Sequence, residues 1–254
     1  MIQNNIALVL GGGVARGAFH LGVLDFCEQH QIDIKAYSGS SIGAIIAASH
    51  ASGVKAKEQL KIFSSKDIKQ TLKFNYFRNG LIKIDSSNKI LKELLPIENI
   101  EDIKKPIWVS AYDLKKRKLH YFNKGNTIAL CMASSALVPI FKPINYKKML
   151  LIDGGLFDNL PIKPLENKNY EIHTIDLFAK NHNKQIKKFS PFKKIKKSFF
   201  KQLYENHKYT LENTSYYLGS PNIKDFSLFT FSELEECFKF GVKEAQKHFL
   251  DILK

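Results

Sequence analysis

Three short stretches of the 254-residue chain carry residue types able to do chemistry. Gly39-Ser40-Ser41-Ile42-Gly43 matches the pattern G-x-S-x-G. Between a strand and a helix, that pattern forms a sharp turn that presents the serine hydroxyl above a sheet, at the positive end of the following helix. Ser41 is therefore the candidate nucleophile. Gly11-Gly12-Gly13-Val14-Ala15-Arg16-Gly17 leaves bare backbone N–H groups able to approach an anion. A dinucleotide loop would need glycine where Arg16 stands, and a Walker A loop would need lysine where Ala18 stands, so neither nucleotide reading fits. What remains is a backbone cradle for an anion, bound or transient. Asp153-Gly154-Gly155 closes an apolar run. By itself it also fits an Asp-Gly hairpin turn without chemistry; beside Ser41 it supplies a base or an orienting group.

A serine triad would need a histidine after the acid. His173, His182, His207 and His248 follow Asp153, but none sits in a glycine-flanked loop of the kind that ends a sheet strand. The pattern favours a Ser–Asp dyad. A free aspartate, with a pKa of about 3.9, is a weak base for a hydroxyl. Desolvation raises that pKa, and strong oxyanion stabilisation lowers the demand on the base.

The elements that must position these stretches are legible from hydrophobic pattern. Ile6 to Leu10 is a continuous apolar run stopped by glycines, the mark of a buried parallel-type strand. A helix follows over residues 16–30, then a short strand over 35–38. Residues 42–49 form a helix that is apolar nearly all round and so belongs inside the molecule. Strand, helix, strand, helix within fifty residues indicates an α/β class. Residues 54–105 are more polar and mostly helical in pattern, with Asp85-Ser86-Ser87 able to cap a helix running to Leu95. Further strands are expected over 107–112, 119–122, 149–152 and 171–178. A helix is expected over 127–137, and a long C-terminal helix over 231–253, with a break near Gly241. No repeat or linker divides the chain, so one domain over 1–254 is the economical reading, with a C-terminal helical region over 206–254.

Composition bounds the function. The chain is 44% hydrophobic and 25% charged, which excludes wholesale disorder. Its three cysteines, Cys27, Cys131 and Cys237, are scattered, which argues against a disulfide framework and fits a reducing compartment. No stretch approaches the roughly eighteen apolar residues of a membrane span, so the expectation is a cytoplasmic protein, peripheral at most to the inner membrane face. The formal charge of +15 points to an anionic partner, although a lysine-rich proteome would give the same value. No zinc spacing, RNP-type run or helix-turn-helix pattern supports nucleic acid as that partner, and no oxygen-rich calcium loop or other metal site is read.

The three motifs in this order resemble the patatin-like phospholipase family, and its short bacterial members most. Neighbouring stretches agree: Ala18-Phe19-His20-Leu21-Gly22-Val23-Leu24, Ala133-Ser134-Ser135-Ala136-Leu137-Val138-Pro139, and Phe157-Asp158-Asn159-Leu160-Pro161. The resemblance covers about residues 6–180. It implies a three-layer α/β/α fold with a mostly parallel sheet and hydrolysis of phospholipid or other acyl-ester lipids, without a cofactor. It also implies Ser41 as nucleophile and Asp153 as base. Gly11, Gly12 and Gly13 would give oxyanion-hole N–H groups, with Arg16 near acyl or phosphate oxygens. The glycine run carries an extra residue before Arg16 relative to the commonest family pattern, which leaves open which N–H groups face the oxyanion. A thioesterase or acyltransferase on the same elbow, or a non-enzymatic anionic-surface binder, are the alternatives. Over about 184–205, Phe192, Ile195, Phe199 and Leu203 recur at helical spacing between Lys193, Lys194, Lys196, Lys197 and Lys201. That is either a membrane-surface segment or an ordinary outer helix with a solvated lysine face.

Overall fold

The computed structural model describes residues 5–65, 89–138, 140–178, 205–229 and 231–250. The lysine-rich segment over 184–204 and the Asp85-Ser86-Ser87 cap lie outside the described residues. One eight-stranded sheet organises the rest. The strands are β1 (Ile6–Leu10), β2 (Ala36–Gly39), β3 (Ile107–Asp113), β4 (Lys118–Phe122), β5 (Ile144–Tyr146), β6 (Met149–Asp153), β7 (Glu171–Asp176) and β8 (Tyr216–Gly219). The helices are α1 (Gly17–Gln29), α2 (Ile42–Ala51), α3 (Ala56–Ser64), α4 (Lys89–Leu94), α5 (Thr127–Ser134), α6 (residues 205–213) and α7 (Leu234–Phe249).

β1 is central because it is apolar on both faces. Ile6, Leu8 and Leu10 join the core beneath α1, α2, α5 and α7, while Ala7 and Val9 face a second, smaller core. That second core is closed by Leu160, Ile162 and Leu165, and α6 is fastened to it by the Thr210 hydroxyl, which donates to the Leu160 carbonyl at 3.0 Å. The sheet therefore has cover on both faces, as its parallel centre requires. β1 pairs in parallel with β2 and β7, β2 with β3, and β7 with β8.

The edge of β3 decides where the chemistry can sit. Val109 pairs with both Gly39 and Phe122, and Ala111 with both His120 and Asp153. A strand has two edges, so β4 holds one of them and β2 and β6 share the other. β2 runs parallel to β3 and β6 antiparallel, so their carboxyl ends point at each other. Gly39 and Asp153 thus end up two positions apart along β3.

The expected strands and most helices are present, with three differences. α7 runs unbroken through Gly241. A Cβ there would collide with the Phe19 carbonyl, and one on Gly22 would collide with that of Phe238. The two glycines let α1 and α7 cross backbone to backbone, so Gly241 is a packing site and not a break. The C-terminal region expected to be helical also contains β8, a four-residue edge strand too short to show a period. β5, three residues long, escaped the pattern for the same reason. No helix among the described residues is long and apolar enough to cross a membrane.

Candidate active site

Ser41 sits between β2 and α2 with φ 52° and ψ −126°. For a residue with a Cβ this is a strained backbone, costing on the order of 1–3 kcal/mol. The turn is held from several sides. The Ser41 N–H donates to Ser134 Oγ at 2.9 Å, and the N–H groups of Gly43 and Ala44 return to the Ser40 carbonyl. A Cβ on Gly43 would strike the carbonyl of Leu10, so only glycine lets α2 start this close to β1. The elbow expected from G-x-S-x-G is therefore in place.

Asp153 ends β6 and is 5% exposed. Its Oδ1 accepts the Gly155 N–H at 2.7 Å, and its carboxylate also accepts a hydrogen bond from the Ser41 side chain. Burial outweighs both bonds and pushes the Asp153 carboxyl up to about 7. Asp153 is anchored in turn by its own N–H, which donates to the Ala136 carbonyl at 3.1 Å.

The glycine loop is more specialised than its composition shows. The Gly11 N–H donates to the Ile175 carbonyl at 3.1 Å, continuing the β1–β7 pairing. The Gly12 N–H donates to Asn159 Oδ1 at 3.0 Å. The N–H groups of Gly13 and Val14 have no partner among the described residues. Val14 holds φ 51°, a left-handed conformation rare for a β-branched residue. His20, fully buried, binds the Gly11 carbonyl through Nε2 at 2.8 Å. A carbonyl only accepts, so Nε2 carries the proton, and burial pushes the imidazole down to about 4 and keeps it neutral.

Arg16, expected beside substrate oxygens, donates to three backbone carbonyls: Phe226 at 2.9 Å, Leu177 at 3.1 Å and Lys224 at 3.3 Å. Its planar fork ties the loop after β7 to the loop before α7. The candidate histidines are also accounted for. His173 bonds Glu171 and His248, and His207 bonds Asp176; His182 lies outside the described residues. Sequence reasoning missed Asn159 and Ser134 as site residues. Both lie in stretches that carried the family resemblance, yet their partners stand 147 and 93 residues away, and no local spacing announces them.

A strained serine bonded to a buried carboxyl thus lies beside a glycine turn whose Gly13 and Val14 N–H groups have no partner among the described residues, a set of groups with the chemistry that acyl transfer needs. The family model for patatin-like phospholipase matches residues 8–166, more than half of the chain. The chain belongs to the patatin-like phospholipase family. An uncharacterized NTE family protein of Mycobacterium bovis is 29% identical over 169 residues, spanning 66% of this chain and 47% of that protein. A protein named lysophospholipase NTE1 from Cryptococcus neoformans is 30% identical over 185 residues, spanning 68% of this chain and 11% of that protein. The chain thus corresponds to half or less of the length of these relatives. Among solved structures, VipD from Legionella pneumophila superposes with a TM-score of 0.55 at 15% identity, covering 98% of this chain and 67% of that one. The type III effector ExoU superposes at 0.52 and 16%, covering 98% and 53%. At these identities the likeness supports the fold, a central mostly parallel sheet in an α/β architecture.

Proposed function

We propose that this patatin-like protein hydrolyses acyl esters of phospholipids or lysophospholipids through a Ser41–Asp153 dyad and an acyl-enzyme. The observation that carries the reading is the buried Asp153 carboxyl, pushed up to about 7 while bonded to a serine in an elbow conformation. Lipid as substrate class rests on the family and on the relative named a lysophospholipase.

In the first step Asp153 takes the Ser41 proton as Oγ attacks the ester carbonyl. A base near neutrality makes this transfer far easier than an ordinary aspartate would. The developing oxyanion is assigned to the N–H groups of Gly13 and Val14, because those of Gly11 and Gly12 are engaged. Collapse expels the alcohol or lysolipid, which takes the proton from Asp153. Water then attacks the acyl-serine while Asp153 accepts its proton, and Asp153 returns that proton to Ser41 Oγ as the fatty acid leaves. Asn159, bonded to Gly12 through Oδ1, fixes the turn that carries the two donors; it is a positioning residue.

The experiment is hydrolysis of a soluble short-chain ester and of phospholipid vesicles, with fluorophosphonate labelling, by the wild type and Ser41→Ala. The expected outcome is hydrolysis and labelling by the wild type and neither by the variant. Labelling that survives Ser41→Ala would remove Ser41 as nucleophile.

A further inference from the structure

We propose that His20 is a positioning residue for the oxyanion donors, gripping together with Asn159 the two ends of one peptide unit in the glycine turn. The role rests on the hydrolase reading of Ser41 and Asp153 and adds the side chain that helps aim its donors. The unit is the one that joins Gly11 to Gly12. Its carbonyl accepts the His20 Nε2–H at 2.8 Å, and its N–H donates to Asn159 Oδ1 at 3.0 Å. The carbonyl and N–H of a planar trans peptide point in opposite directions. The first turn of α1 therefore holds the unit from one side, and the loop after β6 holds it from the other. Asn159 Nδ2 also reaches the Gly12 carbonyl at 3.5 Å, at the limit of a hydrogen bond. With that carbonyl turned to Asn159, the Gly13 N–H at the other end of its plane is turned away from Asn159.

The residue types make such a grip necessary. Glycine has no Cβ to resist rotation, so a peptide between two glycines swings over at little steric cost. A swing would redirect the N–H groups that follow it, and it would do so beside the nucleophile. A Cβ on Gly12 would come within 3.1 Å of Ser41 Cβ. The Gly11 N–H is already bonded to the Ile175 carbonyl, so His20 and Asn159 fix the plane beyond Gly11 relative to the sheet. His20 is also ill suited to a purely structural place. It is fully buried, and its Nδ1 has no partner among the described residues. An unpartnered buried acceptor costs stability, and an apolar side chain of similar size would avoid that cost. What the imidazole supplies there is one donor, and the group it meets is the Gly11 carbonyl.

The test is steady-state hydrolysis of a soluble short-chain ester, with hydrogen exchange at the Gly12 amide followed by NMR. His20→Leu is expected to lose about 30-fold in kcat with KM within about twofold of the wild type. His20→Gln, whose amide reaches the place of Nε2, is expected to return to within about threefold of the wild type. His20→Asn, one bond shorter, should lose as much as His20→Leu. Exchange at Gly12 should quicken about tenfold in His20→Leu and stay near the wild-type rate in His20→Gln. Joined to Asn159→Ala, His20→Leu should cost little beyond the larger single loss, because both side chains grip one unit. Equal activity of His20→Gln and His20→Asn, losses that multiply in the double variant, or unchanged Gly12 exchange in His20→Leu overturns the proposal. If His20→Leu does not fold, the comparison of His20→Gln with His20→Asn decides by both readouts. A wild type that hydrolyses no ester removes the hydrolase reading; quickened Gly12 exchange in His20→Leu, restored in His20→Gln, then still upholds the grip itself.

Discussion

β6 and β7 each end in a buried aspartate at the same sheet margin, and the two carboxyls are driven in opposite directions. Asp153 is 5% exposed and Asp176 2%, so burial alone does not separate them. The donors do. Asp176 accepts the Tyr217 hydroxyl at 2.7 Å, the Phe178 N–H at 2.8 Å and His207 Nε2 at 3.2 Å. These bonds overcome desolvation and hold it below the usual carboxylate range. Asp153 has one backbone N–H and the Ser41 hydroxyl, too few to offset burial, and it rises to about 7. A fully solvated carboxylate or a fully bonded one makes a poor base. Underbonding is what suits Asp153 to the base role proposed for it, while Asp176 serves as a structural anion pinning α6 and β8 to the end of β7.

Substitution of each acid by its amide should split the two roles, and the largest difference is in activity. Asp153→Asn is expected to lose at least about 10³-fold in kcat/KM on a soluble ester, because the amide cannot accept the Ser41 proton. Asp176→Asn should keep most of its activity. Equal losses in both would erase the distinction drawn here.

Stability should move the other way. A buried acid raised above its unfolded value favours folding at low pH, and that contribution is lost as pH rises through about 7. At pH 8 the Asp153 carboxylate therefore opposes folding, and Asp153→Asn is expected to stabilise the protein by about 2–4 kcal/mol in urea unfolding. Asp176, lowered in the fold, contributes stability above the unfolded carboxylate pKa and loses it as pH falls through its own lower value. Asp176→Asn should cost about 2 kcal/mol at pH 8.

The pH–rate profile sharpens the same contrast. With Asp153 as the base, kcat/KM on a soluble ester should rise from pH 5 and level off above about 7. Asp176→Asn should leave that limb in place. A profile flat down to pH 5 would mean that Asp153 is not the base.

The smallest expected effect concerns the strained turn. Ser41→Gly removes the cost of holding φ 52° with a Cβ. It should stabilise the fold by about 1 kcal/mol beyond any gain in Ser41→Ala, measured by thermal unfolding of both inactive variants.

Much of this molecule was legible in the chain. The apolar run Ile6–Leu10 ending in glycines, the small-residue helix after Ser41 and the apolar strand before Asp153 specify their own conformations, because strand and helix periods are local. From them came the α/β class, the elbow and the pair Ser41 and Asp153. The tertiary structure decided what depends on distant partners. It set β6 end to end with β2 on one edge of β3, so that Asp153 reaches Ser41 across more than a hundred residues. It engaged the N–H groups of Gly11 and Gly12 and left those of Gly13 and Val14 without a partner among the described residues. It set Arg16 on three backbone carbonyls that no local spacing announces. Nor does residue type distinguish Asp153 from Asp176, since each closes a largely buried strand. Only the count of donors brought to each carboxyl by the folded chain lifts one and lowers the other.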